Sequence, residues 1–228
     1  KKKRDHNMLK DKIDQNLLQL YSFLECQNQK FSNIIARENL EKIHYIESFG
    51  KYLCSLKLKD KEVFLTPAPC LHVYPFLKNC KTLKNITTRN YCFRDEDTVD
   101  ENIRKNEFEM REFVVFATTF KELDEIRSRA IVVFENWLKD IGVQYSIEVA
   151  TDHFSDPENK LKIFQEMNNM KYEFIVSVAT EKFSIASFNH HGSHFTKNFD
   201  LCSENSSVVS GCFAFGLDRL EYLLANLD

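Results

Sequence analysis

Arg94, Glu96 and Phe108, in the stretch Tyr91 to Glu112 (YCFRDEDTVDENIRKNEFEMRE), have the chemistry to hold a nucleotide, as does Arg219 in Gly211 to Glu221 (GCFAFGLDRLE). A guanidinium answers phosphate charge through paired hydrogen bonds, and an aromatic ring offers a flat face to a base. A strand period of two puts Arg94 and Glu96 on one side of the first stretch and Tyr91, Phe93 and Asp95 on the other. The return run Glu107 to Ala117 reads as a second strand in which Phe108, Met110 and Glu112 share a face, with the polar Asp97 to Asn106 as the hairpin loop. Taken alone, the hairpin reads equally well as an amphipathic surface element with an exposed ion pair.

The second stretch shifts that balance. Ser207 to Phe215 (SVVSGCFAF) reads as a small-residue strand, Gly216 as a turn and Leu217 to Leu227 (LDRLEYLLANL) as a helix. Arg219 then falls in the first helical turn, where a cation opposes the helix dipole and needs an anionic partner. A solvated arginine is the ordinary outcome for a single Arg. What outweighs it is that both stretches resemble signatures of one enzyme family and stand in that family's order, with a helix and strands between them; the resemblance implies a phosphate site.

Phe-Arg-x-Glu followed by Phe-x-x-x-Glu resembles motif 2 of the class II aminoacyl-tRNA synthetases, and Phe-Gly-Leu-Asp-Arg resembles motif 3. More specifically, the chain resembles the amino acid:[carrier protein] ligases, truncated relatives of the methanogenic-type seryl-tRNA synthetases. Leu40 to Leu56, Leu65 to Pro75 (LTPAPCLHVYP), Ala186 to Phe195 (ASFNHHGSHF) and the Cys212 stretch carry that likeness from about residue 31 to the end. One departure is that Lys30 to Lys42 has Ser32 and Asn33 where motif 1 usually carries a proline at the dimer interface. The homodimer is therefore an expectation from the resemblance.

The resemblance also implies a zinc ion held by Cys70, Glu112 and Cys212. Two thiolates and a carboxylate suit zinc, and three protein ligands leave a fourth position for a substrate amine. Spacing alone does not reveal this triad, because isolated buried cysteines are commoner than ligands. His190, His191 and His194 form a rival cluster, which the family likeness places beside the active site without ligating the metal. Ser187 and Asn189, one strand period apart, are expected to face the ATP and metal pocket, and Glu204 is a weaker candidate for magnesium.

What the resemblance implies is an enzyme, an AMP-forming ligase that uses ATP, Mg2+ and Zn2+ to activate a small amino acid as its adenylate. Arg94 and Arg219 are the catalytic cations of that reading, and Arg94, Glu96, Phe108, Ser187, Asn189 and Arg219 bind the nucleotide. The acceptor is the phosphopantetheine thiol of a carrier protein. The alternatives are a catalytic domain that charges tRNA and a silent paralogue acting as a binding protein.

With 228 residues, 43% of them hydrophobic and 20 of them Phe, the chain can bury one substantial core, and residues 1–228 are read as a single domain. Seven cysteines without a signal peptide fit a reduced, cytoplasmic setting, and no apolar run reaches membrane-spanning length. A net charge of −3 and a pI near 6.2 argue against a broad nucleic-acid surface and hence against tRNA as partner.

The remaining pattern is α+β. Helices are expected over Leu9 to Glu25, Ile34 to Tyr45, Phe120 to Ile141 and 157 to 168. Strands are expected at 62 to 66, 144 to 150, 172 to 178 and 183 to 189. On Phe120 to Ile141 the residues Leu123, Ile126, Ala130, Val133, Phe134 and Leu138 line one side and belong to the core. Irregular interleaving and hairpin-like neighbours favour an antiparallel β-sheet flanked by helices, the architecture of the class II aminoacyl-tRNA synthetase catalytic fold.

Overall fold

The runs of alternating and continuous hydrophobicity pair into one large sheet. In a computed structural model, which describes residues 2–78, 80, 82–152, 167–203 and 206–227, the strands of this sheet follow the order β1-β5-β6-β12-β9-β8-β7. They are β1 (Gln27–Asn28), β5 (Ile86–Phe93), β6 (Glu107–Ala117), β7 (Ser146–Val149), β8 (Lys171–Val178), β9 (Glu181–Gly192) and β12 (Val209–Gly216). All pairings are antiparallel except that of β1 with β5. A smaller antiparallel sheet, ordered β2-β4-β3, joins β2 (Ile34–Ala36), β3 (Ser55–Leu58) and β4 (Lys61–Leu65), and β10 (Cys202–Ser203) pairs with β11 (Ser206–Ser207).

Cross-strand register sorts the large sheet into two faces, since directly paired residues point to the same side. Phe113, Phe213 and Phe188 lie opposite one another on β6, β12 and β9. With Phe215 and Phe174 they form an aromatic layer against α1 (Lys2–Leu20), α5 (Phe120–Asp140) and the C-terminal helix Leu217–Ala225. Ile13, Leu17 and Tyr21 recur every fourth residue at the inner side of the N-terminal segment, and the Tyr21 hydroxyl donates to the Ala130 carbonyl at 2.9 Å. Leu123, Ala130, Phe134 and Leu138 of α5 are buried in this layer, with Ile126 and Val133 partly buried at its edge. Thr119 caps α5 by accepting from the Glu122 N–H, while the Glu122 carboxylate reaches back to the Thr118 N–H, a variation on the capping box.

The opposite face is where polar side chains are placed. Glu112, Ala214, Ser187 and Glu173 form one row across β6, β12, β9 and β8, and Val114, Cys212, Asn189 and Lys171 form the next. Part of this face is covered by the turn Pro69–His72 and α4 (Val73–Leu77), with Leu71, Val73, Tyr74 and Leu77 packed on Val114 and Cys212.

Arg111, on the helical side of β6, enters the core by forming a bidentate pair with Asp14 of α1 at 2.6 and 2.8 Å, with Asn28 and Thr87 accepting from the same guanidinium. A buried ion pair is tolerable only when its remaining hydrogen-bonding capacity is met in this way.

The predicted strands lie within a residue or two of β4, β7, β8 and the start of β9, which runs on to Gly192. The helix expected over Ile34 to Tyr45 is divided. Ile34 to Ala36 pair with β4, α2 (Arg37–Glu41) follows, and His44 in the left-handed region at φ 56° separates it from α3 (Tyr45–Phe49). The β-branched pair Ile34 and Ile35 favours the sheet edge, a tertiary choice that helical periodicity does not register. The helix expected at 157 to 168 falls largely outside the described residues. The N-terminal helix spans Lys2–Leu20, and a 3-10 turn at Ser22–Leu24 takes up the end of the predicted Leu9 to Glu25 segment.

Candidate functional site

The hairpin of β5 and β6 and the strand-to-helix turn at Gly216 meet because β6 and β12 are direct neighbours, with Gly216 opposite Met110. A cleft opens where they meet, and Arg94, Glu96, Phe108, Ser187 and Arg219 all line it. Ala214 and Ser187 form its floor on the polar face of the sheet.

Arg94 and Glu96 reach the cleft by a route other than strand alternation. β5 ends at Phe93, so both residues belong to the connection that follows it. The Arg94 backbone N–H donates to Asn106 O at 2.9 Å, which prolongs the pairing by one bond and aims the side chain over the ring of Phe108, 5.1 Å from guanidinium carbon to centroid. Its Nε also donates to the Pro67 carbonyl at 3.1 Å. Glu96 faces Arg104 of the loop at 3.3 Å.

Arg219 lies in the C-terminal helix (Leu217–Ala225), and its Nε and Nη1 donate to the carbonyls of Ile103 at 2.7 Å and Ser184 at 2.8 Å. Among the described residues neither Arg94 nor Arg219 forms an ion pair. Burial, with Arg94 and Arg104 nearby, lowers the Arg219 guanidinium from its ordinary range. Two cations held this close gain from an anion placed between them. Asp218 is engaged elsewhere, accepting from Lys10 at 2.8 Å, Lys105 at 3.2 Å and the Glu109 N–H at 2.7 Å, which ties the hairpin loop and α1 to the start of the C-terminal helix.

Cys70, Glu112 and Cys212 converge from three elements. One potential ligand atom from each lies within 4.8 Å of the others, and all three residues are buried. They form the only such group of potential metal ligands among the described residues. The Cys70 N–H donates to Glu112 Oε2 at 2.5 Å, so the turn at Pro69–His72 fixes the carboxylate against the two sulfurs. Burial raises the Glu112 carboxyl and holds the Cys212 thiol well above its ordinary range. At Cys70 a hydrogen bond with Cys212 pulls the thiol down, but burial and Glu112 raise it overall. Three acids crowded out of water hold their protons more tightly than in solution, and a bound cation would compensate their charge as they ionise, so the donor set fits zinc. The triad adjoins the cleft floor, since Glu112 is the register partner of Ala214 and Cys212 lies in the next row.

Asn189 lies between the two centres. Its Nδ2 donates to Ser187 Oγ at 3.1 Å and to the Cys212 carbonyl at 3.2 Å, so it braces the floor instead of lining the cleft. The three histidines are dispersed. His190 stacks on Phe120 at 4.9 Å, His191 Nδ1 pairs with the Tyr74 hydroxyl at 3.0 Å, and His194 Nε2 lies 3.1 Å from Ile43 O. Glu204 lies outside the described residues.

Lys171 and Glu173 of β8 also line the cleft and had no signal in the sequence. The Lys171 ammonium is held by Asp152 at 2.7 Å and Glu173 at 3.1 Å. The two β8 residues join the site only because β8 pairs with β9, bringing Lys171 opposite Asn189 and Glu173 opposite Ser187.

No protein-family model and no curated protein matches the sequence. Solved structures do match the fold. The M. kandleri SerRS bound to A. aeolicus tRNASec superposes with a TM-score of 0.77 at 19% identity, over 97% of this chain and 52% of that one. The cytoplasmic serine-tRNA ligase of Naegleria fowleri in complex with AMP gives 0.75 at 13% identity, over 97% and 49%. The Giardia lamblia prolyl-tRNA synthetase in complex with prolyl-adenylate gives 0.74 at 14% identity, over 93% and 45%. The chain thus spans about half the length of these proteins, and its fold is that of a class II aminoacyl-tRNA synthetase catalytic domain.

Proposed function

We propose that this protein is an AMP-forming ligase that activates a small amino acid with ATP and passes it to the phosphopantetheine thiol of a carrier protein. The observation that carries the reading is the convergence of Arg94, Phe108 and Arg219 on one cleft whose floor adjoins the Cys70, Glu112 and Cys212 triad. Within this reading Phe108 stacks on adenine, Arg94 holds the α-phosphoryl oxygens and Arg219 the outer phosphates. The Arg94 guanidinium lies over the Phe108 ring, 5.1 Å from its centroid, which keeps the phosphate cation and the aromatic face side by side.

Activation needs little covalent chemistry from the protein. A carboxylate oxygen attacks the α-phosphorus, the bond to the bridging oxygen breaks, and pyrophosphate leaves with the electron pair. Arg94 and Arg219 stabilise charge developing on phosphoryl and leaving oxygens, in a site where burial strengthens that interaction. Cys70, Glu112 and Cys212 would hold zinc, whose open position supplies a Lewis-acid site for the free amine of the substrate. Asn189 and Ser187 keep the floor rigid between amine and phosphate positions. Magnesium accompanies the triphosphate in this reading, and a homodimer is the assembly that the resemblance implies.

The second reading, a domain that charges tRNA, is favoured by the identity of the fold neighbours, which are tRNA ligases. Against it stands the net charge of −3, which gives no broad attraction to polyanions. The test is amino-acid-dependent exchange of labelled pyrophosphate into ATP across an amino acid panel, followed by transfer from the adenylate to pantetheine or to bulk tRNA. Exchange with one or two amino acids and thioester formation support the ligase. Aminoacylation of tRNA selects the second reading, and no exchange by zinc-loaded protein leaves a silent binding paralogue.

A further inference from the structure

Lys171 has no part in nucleotide binding as described above, yet it occupies a functional position in the sheet. It shares a row with Cys212 and Asn189, two strands from Cys212, or about 10 Å between backbones at ordinary strand spacing. Arg94 and Phe108 approach the cleft from the hairpin on the opposite side of the β12 floor, whereas Lys171 approaches from β8. The row beside the triad is therefore served by its own cation.

That cation is fixed and permanent. Asp152 and Glu173 flank the ammonium at 2.7 and 3.1 Å. Burial would lower the lysine, but the two carboxylates raise it above its ordinary value, so it stays charged at any working pH. An ammonium has three donors, and among the described residues these partners take two, so the third is offered to a group in the cleft. A neutralised lysine on a flexible stem needs no such pair of anchors to fill space. Two anchors aim it.

We propose that Lys171 is a further catalytic residue that donates to the acyl oxygen of the substrate. In the activation step it orients the carboxylate by holding the oxygen that does not attack phosphorus. In the transfer step the acceptor attacks the carbonyl carbon as its thiolate, the C=O electron pair moves to that same oxygen, and Lys171 stabilises the oxyanion until C=O re-forms, the bond to AMP breaks and AMP leaves with the electron pair. Asp152 and Glu173 are positioning residues that aim the ammonium. This inference rests on the ligase reading proposed above, in which a thiol is the acceptor.

The experiment compares wild type with the neutralised variant Asp152→Asn/Lys171→Met/Glu173→Gln, which leaves no charge stranded in the cluster, and with Lys171→Arg, which keeps both ion pairs. Pyrophosphate exchange is measured against amino acid and ATP separately, and decay of preformed adenylate is measured with pantetheine as thiol. The expected result in the triple variant is an amino acid KM raised about tenfold or more, an ATP KM within twofold, and transfer to pantetheine slowed about 100-fold. Lys171→Arg should keep the wild-type melting temperature but lose part of the transfer rate. Unchanged amino acid KM and transfer rate overturn the proposal, as does a parallel rise in both KM values. If the triple variant does not fold, Lys171→Arg decides by the same readouts. Absence of exchange in wild type refutes the ligase reading itself and removes this inference with it, whereas an active wild type with an unaffected variant refutes only the inference.

Discussion

Replacing Cys212 by alanine tests the triad most directly, and the size of the effect follows from linkage. A ligand that binds only the folded state stabilises it by about 4 kcal/mol when its free concentration is 1,000 times its Kd. For a chain of this length each kcal/mol moves the melting temperature by about 2–4 °C, so loading wild type with zinc should raise it by about 8–16 °C. Cys212→Ala removes one of three ligands that lie within 4.8 Å of one another and should abolish most of that rise. The Asn189 bond to residue 212 is to its carbonyl and survives the substitution, so the strand pairing is retained. The baseline cost of deleting the thiol is the same with and without metal and cancels from the comparison.

The assay is thermal unfolding by circular dichroism with zinc or chelator, together with metal content. Since Glu112 is raised and Cys212 is held well above its ordinary range, zinc must displace protons, and the gap should widen from pH 6 to pH 8. A wild-type melting temperature indifferent to zinc, or a full zinc response in Cys212→Ala, would refute the metal centre.

Arg94→Lys keeps the charge but loses the planar fork, and should lower pyrophosphate exchange by about 100-fold while moving the melting temperature by only a few degrees; an unchanged exchange rate would show that the hairpin does not hold ATP. Arg111→Met strands the buried Asp14 carboxylate and should cost about 3–5 kcal/mol, most of it recovered in Arg111→Met/Asp14→Leu, as measured by urea unfolding; equal single and double costs would contradict the pairing. His191 is lowered by burial to about 3, against about 6.5 when unfolded. Between those values the unfolded chain binds the extra proton, so stability is lost as pH falls, by up to about 1.4 kcal/mol per pH unit, or about 2 kcal/mol from pH 6.5 to 5. His191→Gln should flatten that slope, and an identical pH profile in the variant would exclude His191 as its source. Gly211→Ala would bring a Cβ to 2.8 Å from the Asn189 carbonyl, so the strand that carries Cys212 should lose about 1–3 kcal/mol of stability by urea unfolding. A neutral effect there would mean that the β9 and β12 backbones are free to separate.

The sequence by itself determined the elements whose pattern is local. Phe120 to Asp140 has its helical stripe and its Thr119 cap, Glu107 to Ala117 its strand, and Leu217 to Ala225 its helix beyond a glycine. Each depends on neighbours within a few residues, which is why periodicity locates them. The segment from Ile34 escaped that logic because β4, far along the chain, captured three of its residues. The site divides in the same way. Arg94, Phe108 and Arg219 stand in recognisable local motifs, while Cys70, Glu112 and Cys212 are isolated residues that only a family likeness could connect. Lys171 and Glu173 carried no signal at all, being an ordinary charged pair on a strand. What made them part of a site is the register of β8 on β9 and of β9 on β12, a long-range pairing set by the aromatic layer on the other face of the sheet. The candidate site was legible where its residues are near in sequence, and tertiary structure decided its membership wherever proximity comes from a neighbouring strand.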